Sequence, residues 1–91
     1  MKIGIVGDLI LSDHLKIDKT LRDILRSTDL NIANLEAPFI RKGMNPALKA
    51  GLHQLVEDCQ ILHDLNIKAV SLANNHMCDF GSEGIEITLQ V

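Results

Sequence analysis

The chain has 91 residues, 46% of them apolar and 23% charged, with 6 Gly and 2 Pro; this balance excludes collagen, disorder, a coiled coil and a membrane span. Its 9 basic and 12 acidic side chains give a formal net charge of −3. With no basic stripe and only Phe39 and Phe80 as aromatics, it has neither the electrostatic footprint nor the stacking platform of a nucleic-acid binder.

Lys2 to Val6 is a short apolar run rich in β-branched residues and ended by Gly7-Asp8, the pattern of a buried strand. Met1-Lys2 leads directly into this run, which is too short for a signal peptide, and the chain is expected to be cytoplasmic. Asp18 is placed to cap a helix whose Leu21, Ile24 and Leu25 are three and four residues apart. Leu30 to Ala33 reads as a second strand. From Ala47 to Leu65, apolar residues at 48, 52, 55, 56, 59, 62 and 65 form a stripe at helical spacing. Asn45-Pro46 would start that helix, and Asn66, in a left-handed conformation, would close it. Lys68 to Leu72 is a third strand, and Ser82 would cap a last helix through Glu83 to Val91.

The order β-α-β-α-β-α implies an α/β fold with a three-stranded parallel sheet. Three helices cover such a sheet only in part, so a sheet edge is expected to remain open for self-association or for further strands. Cys59 and Cys78 are too few for a disulfide scaffold and lack a CxxC spacing; both read as reduced thiols.

Open parallel sheets gather their sites outside the carboxyl ends of the strands. Here those ends carry Gly7-Asp8, then Asn34-Leu35-Glu36, then Asn74-Asn75-His76. Any one of these alone is an ordinary loop or turn sequence. Together they place two carboxylates, amides and an imidazole at one rim, where like charges repel unless a cation screens them.

These blocks, in order Gly7-Asp8, Ala33-Asn34-Leu35-Glu36-Ala37-Pro38 and Ser71-Leu72-Ala73-Asn74-Asn75-His76 with Asp79-Phe80-Gly81 and Gly84, resemble the poly-gamma-glutamate capsule biosynthesis (CapA) family. That family is a branch of the calcineurin-like metallophosphoesterases. The resemblance implies that residues 1–91 are the N-terminal fragment of a single domain, part of a larger metallophosphoesterase-like sandwich. It also implies a metal-dependent phosphoester hydrolase with two divalent ions, of which Mn, Fe or Mg suit the oxygen-rich ligands best. Asp8 matches the first metal-binding aspartate, and Asn34 and Glu36 stand where the superfamily has its bridging ligand. Asn75 matches the amide ligand of the second metal, and His76 the histidine that polarises or protonates the phosphate group. The substrate implied is a phosphoester or anionic polymer. Position 10 is Ile10, where the wider superfamily has a histidine, and the later histidine motifs have no counterpart before Val91. Family members are often exported or membrane-anchored, whereas no such segment is expected in these 91 residues.

Other polar residues have simpler readings. Asp79 is either a partner of His76 or a loop residue. Gly81 and Gly84 suit turns and close helix packing, whereas His14, His53, His63 and the Arg41-Lys42 pair read as solvated. Cys78 lacks a base that would make it a nucleophile. A reading from another class is a non-catalytic α/β module that binds an anionic polymer or a partner in capsule assembly. A third is half of a split Rossmann-like fold with no site.

Overall fold

The computed structural model describes residues 1–46 and 51–91. Its elements are β1 (Ile3–Leu9), α1 (Lys19–Ser27), β2 (Leu30–Leu35), β3 (Phe39–Ile40), β4 (Gln54–Leu55), a 3-10 turn at Val56–Asp58, α2 (Gln60–Asp64), β5 (Ile67–Ser71) and α3 (Gly81–Gln90). The strands β1, β2 and β5 form a parallel sheet in the order β1-β2-β5, as the α/β alternation implied. A second, two-stranded parallel sheet pairs β3 with β4.

Local chemistry explains the first crossover. The Asp18 carboxylate accepts from the Thr20 N–H at 2.8 Å, so one of the unpaired amides that open a helix is satisfied. Lys19 and Asp23, one turn apart, pair at 2.8 Å, which adds the few tenths of a kcal/mol typical of such pairs, about 0.2–0.5. At the far end Leu25 is buried against Ala33, Leu65 and Ile67, and this cluster binds α1, α2 and one face of the sheet. A second cluster of Leu11, Leu35, Phe39 and Ile87 seats α3 near the strand ends.

The other face of the sheet is open. Ile3 and Ile5 are 52% and 80% exposed, which corrects the expectation of a buried first strand. Only alternate residues of β1 meet the helices; Val6 and Leu9 pack toward the Leu25 cluster.

The helix read from Ala47 to Leu65 is the main correction. Residues 47–50, including Leu48, lie outside the described residues, while 51–55 are not helical: Gly51 has φ of +56° and Gln54–Leu55 is a strand. Helix appears only at Gln60–Asp64, after the 3-10 turn. The physical cause is Gln54, which lies off the apolar stripe yet is 1% exposed. Its backbone N–H donates to Pro38 O at 3.0 Å, and its side chain is engaged across the chain as described below. Long-range hydrogen bonds there outweigh the modest helix propensity of the segment. Asn66, with φ of +56°, does close α2 in the left-handed conformation that the sequence suggests.

Other boundaries also differ from expectation: β2 continues past Ala33 to Leu35, and β5 covers Ile67–Ser71 rather than Lys68 to Leu72. Strand β1 runs through Gly7-Asp8 to Leu9, because it stays paired with β2. Helix α3 begins at Gly81, with Phe80 as its N-cap and no side-chain cap, so Ser82 lies inside the first turn. No helix among the described residues is long and apolar enough to cross a membrane.

Candidate functional site

A bulge sets the geometry of the rim. Ile5 pairs with Ile32, but the next registered pair is Asp8 with Asn34, so β1 carries one more residue than β2 across this stretch. Without the extra residue Gly7 would face Asn34 and Asp8 would turn to the opposite face, since side chains alternate along a strand. The bulge therefore re-aims Asp8 toward Asn34, a use of bulges common beside functional sites.

The Asn34 amide nitrogen donates to Asp8 Oδ1 at 2.7 Å and also to Glu36 Oε2. Asn34 and Glu36 are two residues apart and so share a face at the end of β2. Two carboxylates thus converge on one neutral amide, and no described Lys, Arg or His pairs with either of them. The sequence-predicted Asp8, Asn34 and Glu36 are brought together.

Asn75 lies on the loop after β5. It is exposed, and among the described residues its side chain makes no hydrogen bond to this group. The neighbouring Asn74 makes the connection instead. Its Nδ2 donates to Asn34 Oδ1 at 3.2 Å and to Leu35 O at 2.7 Å, while its Oδ1 accepts from the His76 N–H at 3.1 Å. Asn74 therefore fastens the loop after β5 to the end of β2 and fixes where His76 begins. Sequence reasoning placed Asn74 in the same block without assigning it a role; nothing in the run Asn74-Asn75 says which amide turns inward.

His76 is partly buried and its Nδ1 lies 2.8 Å from Asp79 Oδ2. The open question about Asp79 is answered by this contact: it is a partner of His76, 2% exposed, and its Oδ2 also accepts from the Leu52 N–H at 2.9 Å. The segment around Leu52 reaches the other strand ends as well. Gln54 Oε1 accepts from the Leu11 N–H at 2.7 Å, and Gln54 Nε2 donates to Ala37 O at 2.5 Å. Residues 52–54 thus form a strap that touches the exits of β1 and β2 and the loop after β5.

Oxygen donors of this kind suit a hard divalent cation, which two carboxylates at one rim would also help to neutralise. The residues fit such an ion in kind. Among the described residues there is no cluster of three or more His, Cys, Asp and Glu side chains placed to hold a metal, so amide oxygens, water or substrate would have to complete its shell. The remaining candidates keep to their simpler readings. His14 is exposed beside Asp13, His53 stacks edge-on against Phe80 with ring centroids 5.4 Å apart, and Gly84 packs against Phe80 and Pro38.

Comparison with curated proteins gives no match. A family model described as bacterial capsule synthesis protein PGA_cap matches residues 2–91, nearly the whole chain.

Proposed function

Because the chain belongs to the bacterial capsule synthesis protein family, we propose that its rim is a metal-dependent phosphoester hydrolase site serving the synthesis of an anionic capsule polymer, poly-gamma-glutamate. The observation that carries this reading is the convergence of Asp8 and Glu36 on the Asn34 amide. Two carboxylates held this way, with no described cationic side chain paired to them, form an anionic pair suited to a divalent ion.

Asp8 and Glu36 would hold the metal, with Asn75 on the adjoining loop as a further oxygen donor, while Asn34, whose Nδ2 donates to both carboxylates, would ligate only after turning its amide oxygen toward them. Bound divalent ions supply charge neutralisation at phosphoryl oxygens and lower the pKa of bound water. The chain's own residues do the remaining work. Asn34 and Asn74 hold the end of β2 and the loop after β5, which carries His76, together. The His76 imidazolium donates a hydrogen bond to the oxygen on which negative charge develops, and hands it a proton as the bond to the leaving group breaks.

The test is Mn2+ titration followed by electron paramagnetic resonance, with hydrolysis of bis(4-nitrophenyl) phosphate measured on the same samples. Wild-type protein takes up Mn2+ and hydrolyses the ester, whereas Asp8→Asn and Glu36→Gln lose uptake and His76→Ala retains uptake but loses turnover. Equal Mn2+ uptake in wild type, Asp8→Asn and Glu36→Gln overturns the assignment of the rim. Binding of poly-gamma-glutamate with no metal uptake would replace it by a non-catalytic polymer-binding role.

A further inference from the structure

We propose that the cavity between β1 and α1 is a subsite for the apolar alcohol portion of a phosphoester, with the ester's phosphoryl group reaching the carboxylate rim past Asp8. The inference deepens the hydrolase reading by naming a substrate class and rests on that reading for its chemistry. The cavity itself can be tested without metal or turnover.

A cavity of about 390 Å3 lies beside Asp8, lined by residues of β1, of the chain from Leu15 to Asp18, and of α1. Packed interiors leave few voids larger than a water molecule, so this is space that the chain's own side chains do not fill. Leu25, Leu65 and Ile67 form its buried lining, while Leu15 and Leu21 line it at 36% and 47% exposure. Exposed apolar side chains continuous with a concave apolar lining and bordered by charge are the mark of a ligand site.

Size and lining select the occupant. An apolar cavity of about 150 Å3 accepts benzene, so this one has room for a body of about ten carbons. A glutamyl polymer does not suit it, because its carboxylates would leave water for apolar walls in which Lys16 is the single cationic residue. The charged lining residues Asp8, Lys16 and Asp18 are all exposed and so stand at the open side. The Asp18 carboxylate is engaged by the Thr20 N–H, and Lys16 pairs with no carboxylate among the described residues. Asp8 accepts from the Asn34 amide as well as lining the cavity, and it therefore joins the two spaces.

An apolar alcohol seated in the cavity thus leaves its phosphoryl group at the charged side, between the Lys16 ammonium and the Asp8 carboxylate that holds the cation. In hydrolysis a water oxygen bonds to phosphorus as the bond from phosphorus to the alcohol oxygen breaks. The alcohol takes one proton and the phosphate keeps the other.

The test uses protein 13C-labelled at Leu, Ile and Val methyl groups, titrated with 1-naphthol in the absence of metal and with 1-naphthyl phosphate in the presence of Mg2+. Naphthol is expected to shift the methyls of Leu21, Leu25 and Leu65 and to leave unmoved those of Ile3 and Ile5, exposed on the open face of the sheet. Naphthyl phosphate with Mg2+ should shift the same cavity methyls with an affinity higher by about tenfold or more. Leu21 is the third residue of α1, where an acidic side chain favours the start of a helix, so Leu21→Glu is expected to fold and to lose naphthol binding. No shift at the cavity methyls, or equal shifts at Ile3 and Ile5, overturns the proposal on wild-type protein alone. Unchanged naphthol affinity in a folded Leu21→Glu also overturns it, and naphthol binding with no gain from phosphate and Mg2+ overturns the link to the rim. Failure of the hydrolase reading is distinguishable: naphthyl phosphate then binds with the expected gain and is not hydrolysed.

Discussion

Gly4 and Asn31 are partners across β1 and β2, and the side-chain oxygen of Asn31 occupies the space in which a Cβ on Gly4 would stand. Asn31 has no room to withdraw. It is fully buried, and its amide nitrogen donates to Leu25 O at 2.8 Å and Leu65 O at 3.0 Å. One glycine thus admits a buried amide that ties the ends of α1 and α2 to the middle of the sheet.

Replacing Gly4 by Ala is expected to destabilise the fold by about 1–3 kcal/mol, the usual cost of overpacking. Gly7 has no atom within 4 Å of its would-be Cβ, and Gly7→Ala should stay within about 0.5 kcal/mol of wild type. Urea denaturation of the two variants measures the difference, and equal midpoints would contradict the account of Asn31.

Thr88 on α3 is the next test of buried polar pairing. Its Oγ1 accepts from the Phe39 N–H at 2.8 Å and donates to Gly84 O at 2.7 Å. Thr88→Val preserves shape but leaves the Phe39 amide buried without a partner, at a cost of about 1–3 kcal/mol. The same denaturation measurement detects it, and hydrogen exchange at Phe39 should accelerate.

Gln54→Leu removes both side-chain bonds of the strap, to Leu11 N–H and Ala37 O. Two buried backbone groups lose their partners, and the expected loss is about 2–5 kcal/mol if neither finds water. Because Gln54 reaches the exits of β1 and β2, the amide resonances of Leu11 and Ala37 should move more than those of α1.

Metal should stabilise the protein through the same carboxylates that repel each other without it. Ligand at 100 times its Kd raises stability by about 2.7 kcal/mol, so thermal melts of wild type should rise with Mn2+ and fall back with EDTA. Asp8→Asn, altering an exposed side chain, is expected to melt near wild type without metal and to show no rise with it.

How much of this was legible in the sequence depended on the distance over which each feature is decided. The Asp18 cap, the left-handed Asn66 and the alternation of strands with helices depend on residues a few positions apart, and local propensity states them directly. The convergence of the three polar blocks follows from parallel topology, which brings strand ends to one rim.

Tertiary structure alone decided the rest. The helical spacing of Leu52, Leu55 and Val56 is real, but Gln54 is bonded to Leu11, 43 residues away, and to Ala37, 17 away; those pairings cannot be read from a window of neighbours, and they turn the segment into a strap. The bulge that presents Asp8 in place of Gly7 exists because β1 is paired with β2. The choice of Asn74 over Asn75 as the inward amide, and of Asp79 as the partner of His76, rests on how the loop after β5 turns once Leu35 and Leu52 are near it. Residue type supplied the chemistry, while packing and long-range hydrogen bonds determined which atoms face one another.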